Sequence, residues 1–381
     1  AAPRAPGAAP APSPAGGEPF SWMKKPEVDE LPGAPSQTLV RWGRDLLLHY
    51  DWPSVAKQVC MVMARRGNLD YNKYWMLREG HIDMAIWMLK KWPNDKSVQV
   101  ACAKAVGGMA TLEPGIEEAA GKQGAVELVV DIMKKWPDDP EAQVAGASGS
   151  LMDYNEENRE RWAKAGGIEL VMAAARRHYK DDKVIREVAR ALAVGARRPN
   201  GQRFVDAGGM RLLIQLMRDH AQNHRVREYL MTGTRTIVRE DNLTEKIAEA
   251  GYLPALIAAM KEAGSDKYQL TAACDNIKVL VNGSSTRLEE AVQGGVTLAA
   301  WRAVKAAKDM PHESSHAEYE EEWHTVREDC MELLAALAPH PKARQELYEA
   351  MAATAIDGLE EGELKNKRVK DSGDDLRRLL R

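Results

Sequence analysis

The sequence predicts an all-α solenoid of about seven three-helix repeats. Two observations carry this. A glycine followed by an apolar helix recurs at Gly80, Gly124, Gly167, Gly209, Gly251 and Gly295, at intervals of 42 to 44 residues. Self-similarity at a period of about 40–47 residues with helical patterning marks stacked helical repeats. The apolar set is also mostly small and aliphatic, with 10 Trp and 17 Met but only 2 Phe, which suits close helix–helix approach.

The copy beginning at Asn155 shows the plan. NEENRERWAKA (155–165) is a short first helix with Asn155 as its cap, because an Asn side chain accepts from the orphan N–H groups of the first turn. Gly166 and Gly167 stop it. The second helix, 168–178, is apolar at 168, 170, 171 and 174 and ends in Arg176, Arg177 and His178, where positive charge suits the helix dipole. Asp181 and Asp182 open the third helix, 182–197. Its Val184, Val188, Leu192 and Val194 mark a buried face.

The other copies follow. WPND (92–95) and WPDDP (136–140) put Pro and Asp between second and third helices, the residues tolerated or favoured at helix starts. Trp52 opens a similar junction, so 37–50 and 53–66 read as a first, incomplete repeat that caps the stack. After the helix at 296–308, an acidic, polar insertion at 309–322 is expected to form a loop, and the pattern resumes at 324–338 and 341–350. The chain thus divides into an extended Ala/Pro-rich arm (1–35), a solenoid (36–360) and a charged tail (361–381) with a short helix at 373–381.

The net charge is −3, from 53 basic and 56 acidic residues. That mixture argues against nucleic acid as a partner, which normally needs a basic stripe. No run of 18 apolar residues predicts a membrane span. The four cysteines show no metal-ligand spacing. Cys60, Cys102 and Cys274 lie 20 to 22 residues before a repeat glycine, which places them alike on third helices. They read as small buried residues in a reducing compartment. The Ala1 start and the Ala-Pro stretch read as the mature end of a chloroplast or mitochondrial protein or as a simple boundary, with the cytoplasm as the alternative setting.

NEENRERWAKAGGIELV (155–171), NGQRFVDAGGMRLLIQLM (200–217) and NLTEKIAEAGYLPALIAAM (242–260) together resemble the armadillo repeat family. The resemblance implies a right-handed superhelix whose third helices line a concave groove. It also implies binding of extended peptides there. Members similar to nuclear-import receptors carry a Trp and, four residues on, an Asn on the third helix. At those places this chain has Lys104 and Gly108, Arg190 and Val194, Thr232 and Thr236, and Asp275 and Val279. The missing Trp–Asn pairs disfavour a receptor of nuclear-localisation peptides.

Candidate partner-binding residues are therefore Lys104, Arg190, Thr232 and Asp275 on the groove, the paired junction residues Trp92 and Trp136, and Phe20 and Trp22 in the arm. Lys104 and Arg190 are placed to pair with acidic segments. For Trp92 and Trp136, packing over a helix end competes with a role as exposed anchors. Aromatics in an otherwise Ala/Pro-rich arm suggest docking. His312, His316 and His324 lie amid acidic residues, but Pro311 and the intervening serines suit a solvated loop better than a metal cage. Ser148 and Ser150 in AGASGSL fall within a helical pattern, whereas a nucleophile elbow needs a strand-to-helix turn. Neither a catalytic constellation nor a cofactor motif stands out. The expected function is a non-catalytic scaffold or accessory subunit that binds other proteins. The alternatives are a groove-binding peptide adaptor and an RNA-binding repeat protein.

Overall fold

The computed structural model describes residues 51–350, apart from 70–72, 112, 148–150, 153, 265 and 309–316, together with Leu47. All regular structure among the described residues is helical. α1 (Pro53–Leu69) is the last helix of the first, incomplete repeat. Six repeats follow. Their first helices are α2 (Tyr74–Arg78), α5 (Pro114–Lys122), α8 (Glu156–Lys164), α11 (Gly201–Asp206), α14 (Asp241–Glu249) and α17 (Ser285–Gln293). Their second helices are α3 (His81–Lys91), α6 (Ala125–Lys135), α9 (Gly167–Arg177), α12 (Gly209–Asp219), α15 (Tyr252–Glu262) and α18 (Val296–Lys308). Their third helices are α4 (Lys96–Ala110), α7 (Pro140–Ala147), α10 (Asp182–Gly195), α13 (His224–Val238), α16 (Lys267–Val281) and α19 (Ala317–Leu337). α20 (Pro341–Glu349) ends the described chain.

Local chemistry sets each boundary. Asn155 caps α8 by accepting from the Asn158 N–H at 2.9 Å. Asp95, Asp139, Asp181, Asn223 and Asp266 do the same for the third helices α4, α7, α10, α13 and α16. Pro93 and Pro137 thus each sit beside a side-chain cap, Asp95 and Asp139.

The double glycines have two separate jobs. Gly166 takes φ +90° between α8 and α9, a left-handed conformation that L side chains rarely adopt. Gly167 starts α9 in ordinary helical geometry, but a Cβ there would lie 2.2 Å from the Trp162 ring. The first glycine turns the chain, and the second lets the α8 tryptophan pack across it. Gly208 and Gly209 repeat the arrangement against Phe204.

Third helices pack on the third helices of neighbouring repeats, forming a continuous row from α1 to α19. Val98, Cys102, Val106 and Met109 of α4 and Val184, Val188 and Leu192 of α10 are buried on it. Lys73 reaches in from before α2, and its ammonium donates to the carbonyls of Gly108 and Thr111 at 3.0 and 2.6 Å. It thereby satisfies the open C-terminal end of α4.

Two expectations are corrected. The acidic insertion is not a loop through residue 322. α19 begins at Ala317, so its last six residues form the opening turns of a third helix, consistent with the good helix propensity of Ala and Glu. The cysteines are not free thiols. Cys60 pairs with Cys102 and Cys274 with Cys330, and every cysteine is accounted for. Each disulfide joins third helices of adjacent repeats, α1 to α4 and α16 to α19. The shared repeat position of Cys60 and Cys102 sets those two side by side on adjacent third helices. The second separation, 56 residues, exceeds the first, 42, by the length of the 309–322 insertion.

Candidate partner-binding surface

The third-helix row carries the candidate groove residues, and the structure treats them differently. Lys104 is the one exposed side chain between Val98 and Ala110. It stands alone on an otherwise buried stretch of α4. Arg190 on α10 is half-buried. Thr232 on α13 is also half-buried, and its hydroxyl donates back to the Glu228 carbonyl at 2.7 Å. A Thr hydroxyl spent on its own helix offers a partner little beyond acceptor capacity.

Asp275 departs most from expectation. Its side chain is 1% exposed, so it does not present a carboxylate to a partner. It is the centre of a charge cluster that spans three consecutive third helices. From α13, Arg235 Nε donates to Asp275 Oδ2 at 2.7 Å, and from its C-cap Arg239 Nη2 donates to both carboxylate oxygens at 2.6 and 2.7 Å. From α16 itself, Lys278 Nζ lies 3.5 Å away. Arg235 Nη2 extends to Asp329 of α19 at 3.4 Å, and Lys278 also pairs with Glu332 of α19. Burial by itself would raise the Asp275 pKa, but Arg235, Arg239 and Lys278 outweigh it and hold the carboxyl below the usual range. Asp329 goes the other way. Burial, reinforced by the Asp275 charge, pushes it up to about 6. On the same helix, burial lowers Arg327 to about 10.

The junction tryptophans are parts of the architecture. Trp92 is buried, and its Nε1 donates to Asp51 at 2.7 Å. The Lys91 ammonium sits over its ring, 4.6 Å from the centroid. Trp92 is therefore withdrawn as an exposed anchor, because its ring and its donor are both used internally. Trp136 is half-buried against the core. Both junctions are braced alike. Gln99 Nε2 donates to the carbonyls of Leu89 and Trp92, and Gln143 Nε2 to those of Met133 and Trp136. The glutamine seven residues after each tryptophan ties the end of the second helix to the third. Phe20 and Trp22 lie outside the described residues, as do Ser148, Ser150, His312 and His316.

Sequence reasoning missed Arg235, Arg239, Lys278 and Asp329. The usable signal was register. Arg235 precedes Asp275 by 40 residues, slightly less than one repeat, which sets it across from the carboxylate on the neighbouring third helix. Among the described residues, no group of three or more His, Cys, Asp or Glu side chains is arranged to hold a metal ion. No described helix is long and apolar enough to cross a membrane.

No protein-family model and no curated protein matches the chain. Solved structures do. An engineered protein is 19% identical, with 91% of this chain and 78% of that one covered and a TM-score of 0.71. A structure from work on a phosphorylation switch controlling the cadherin–β-catenin interaction is 16% identical, with a TM-score of 0.66 over 93% of this chain and 63% of that one. A designed armadillo repeat protein is 20% identical, with a TM-score of 0.53 over 67% of this chain and all of its own length. The fold is thus an armadillo-like, right-handed superhelical solenoid.

Proposed function

We propose that this chain is a non-catalytic scaffold that binds other proteins through its third-helix groove, as an accessory or assembly subunit of a larger complex. The observation that carries this reading is Lys104. An exposed cation without an ion-pair partner among the described residues stands in the middle of a helix that is buried along both flanks. Isolated surface charges are usually only solvated, but this one lies on the row of helices that the fold uses as its concave lining. The half-buried Arg190 lies two repeats further along the same row of third helices. An acidic or extended segment of a partner subunit fits such a lining, because charge complementarity steers encounter and fixes register. The fold neighbour from the cadherin–β-catenin work concerns a protein–protein interaction of this general kind.

The arm at 1–35, with Phe20 and Trp22, is proposed as a second attachment, and the half-buried Trp136 as a further contact. We place the complex in an organelle. Two buried disulfides favour a setting that oxidises thiols over the reducing compartment the cysteines first suggested. Fractionation of the source cells checks that placement.

The test is affinity capture from the native source with wild-type, Lys104→Glu/Arg190→Glu and Δ1–35 chains. Loss of the partner in the charge-reversed chain supports groove binding. Retention there with loss in Δ1–35 assigns attachment to the arm alone. Unchanged capture by both variants sinks the reading.

A further inference from the structure

The Cys274–Cys330 disulfide is flanked by the charge cluster. Cys274 precedes Asp275 on α16, and Cys330 follows Asp329 on α19. The covalent bond therefore sits beside two carboxylates on facing helices, with Arg235 reaching both. We propose that the Cys274–Cys330 disulfide and the Arg235–Asp275–Asp329 cluster form one latch that closes α19 onto α16, and that loss of the disulfide makes this closure depend on protons. The proposal rests on the groove being the binding surface only for its biological meaning, since the latch itself is a property of the free chain.

The geometry supports each half. Both cysteines are fully buried, so the disulfide is a staple between α16 and α19 rather than a surface thiol pair. Asp275 and the Asp329 side chain are 1% and 7% exposed, and two like charges held that close repel unless one is neutral or both are bridged. The charged groups acting on Asp329 are Asp275 and Lys278 from α16, Arg235 from α13 and Glu328 on its own helix. On α18, which packs on α19, Arg302 and Lys305 are exposed. Arg239 binds Asp275 alone, leaving Arg235 as the cation shared by the two carboxylates.

With the disulfide intact, the staple holds α19 on α16 whatever the charge on Asp329. A dithiol reductant changes that. It gives two electrons and two protons to the S–S bond, which becomes two thiols, while the reductant closes to its own disulfide. Closure then depends on the cluster, and the closed form binds a proton at Asp329 more tightly than the open form does. From a closed-state pKa of about 6 against the ordinary 3.8, closure is about tenfold more favourable at pH 5 than at pH 8.

Hydrogen exchange on the full chain tests this, with rates corrected for the intrinsic pH dependence. The oxidised wild type, the dithiol-reduced wild type, Cys274→Ser/Cys330→Ser and Cys60→Ser/Cys102→Ser are compared at pH 5 and pH 8. The expected result is an α16–α19 protection factor that drops about tenfold from pH 5 to pH 8 in the chains lacking the Cys274–Cys330 bond. It stays flat in the oxidised wild type and in Cys60→Ser/Cys102→Ser. Adding Asp329→Asn to the reduced chain abolishes the dependence. A change of less than about twofold in the reduced wild type overturns the latch, as does a dependence that survives Asp329→Asn. The reduced wild type keeps the test decisive if the serine variant does not fold. Partner capture plays no part in this measurement, so its failure and that of the scaffold reading are separate results.

Discussion

Arg235 of α13 bridges two carboxylates from the next two third helices, with Nε 2.7 Å from Asp275 Oδ2 and Nη2 3.4 Å from Asp329 Oδ2. One arginine thereby ties three successive repeats together. In a repeat protein each unit otherwise touches only its neighbours, so a side chain that spans three units joins them into one cooperative block.

Asp275→Asn removes the anion on which Arg235, Arg239 and Lys278 converge. Removing one partner of a buried ion pair leaves uncompensated charge and typically costs about 3–5 kcal/mol. The partial exposure of the three cations reduces this, and a loss of about 2–3 kcal/mol is expected. Urea unfolding at pH 7.5 measures it, and an unchanged midpoint would show that the cluster contributes nothing to stability.

Asp329 sets a pH dependence of the opposite sign to that of most carboxylates. Its folded pKa, about 6, lies above the ordinary 3.8, so the folded state binds the proton more tightly than the unfolded state. Its contribution is fully favourable below about pH 4 and is lost as pH rises through 6. Asp329→Asn is expected to stabilise the chain at pH 7.5, by at most about 2–3 kcal/mol, and to leave it little changed near pH 4. Unfolding midpoints of both chains between pH 4 and 8 provide the check. A variant weaker than wild type at pH 7.5 would show that the bond from Arg235 outweighs the burial cost.

The two junction tryptophans should separate in a stability assay. Trp92 is buried, hydrogen-bonded to Asp51 and covered by Lys91. Trp92→Ala should therefore cost about 3–5 kcal/mol. Trp136 is half-buried, and Trp136→Ala should cost less than half as much. Thermal melts of the two variants decide it. Equal losses would mean that the bracing glutamines, rather than the rings, hold these junctions.

The two glycines of one pair should fail for different reasons. Gly166→Ala places a Cβ on a left-handed residue and should cost about 1–2 kcal/mol. Gly167→Ala drives a Cβ to 2.2 Å from the buried Trp162 ring and should cost more, because a packed core yields little to added volume. Gly167→Ala combined with Trp162→Leu should recover part of the loss, a coupling that calorimetry of the single and double variants resolves.

Much of the fold was legible because its signals are local. Asn155, Asp95 and Asp181 mark helix starts through hydrogen bonds made within three residues. Gly80, Gly124 and Gly251 mark left-handed turns. The recurrence of these local signals at one period predicts stacking. The candidate surface was less legible. Lys104 and Asp275 look alike in a sequence, each a charged residue at a groove position, yet one is exposed and the other is sealed by three cations. The cations sit 40, 36 and 3 residues away, and only the packing of α13 on α16 brings the first two within reach.

By itself, the sequence determined the repeat, most of its helix boundaries, its handling of glycine and the shared position of three cysteines, because each depends on backbone geometry and short-range caps. The tertiary structure decided which charges remain available and which thiols are joined. Burial and ion pairing depend on distances between neighbouring third helices, and the 309–322 insertion shifts the sequence register between Cys274 and Cys330 without moving them apart in space.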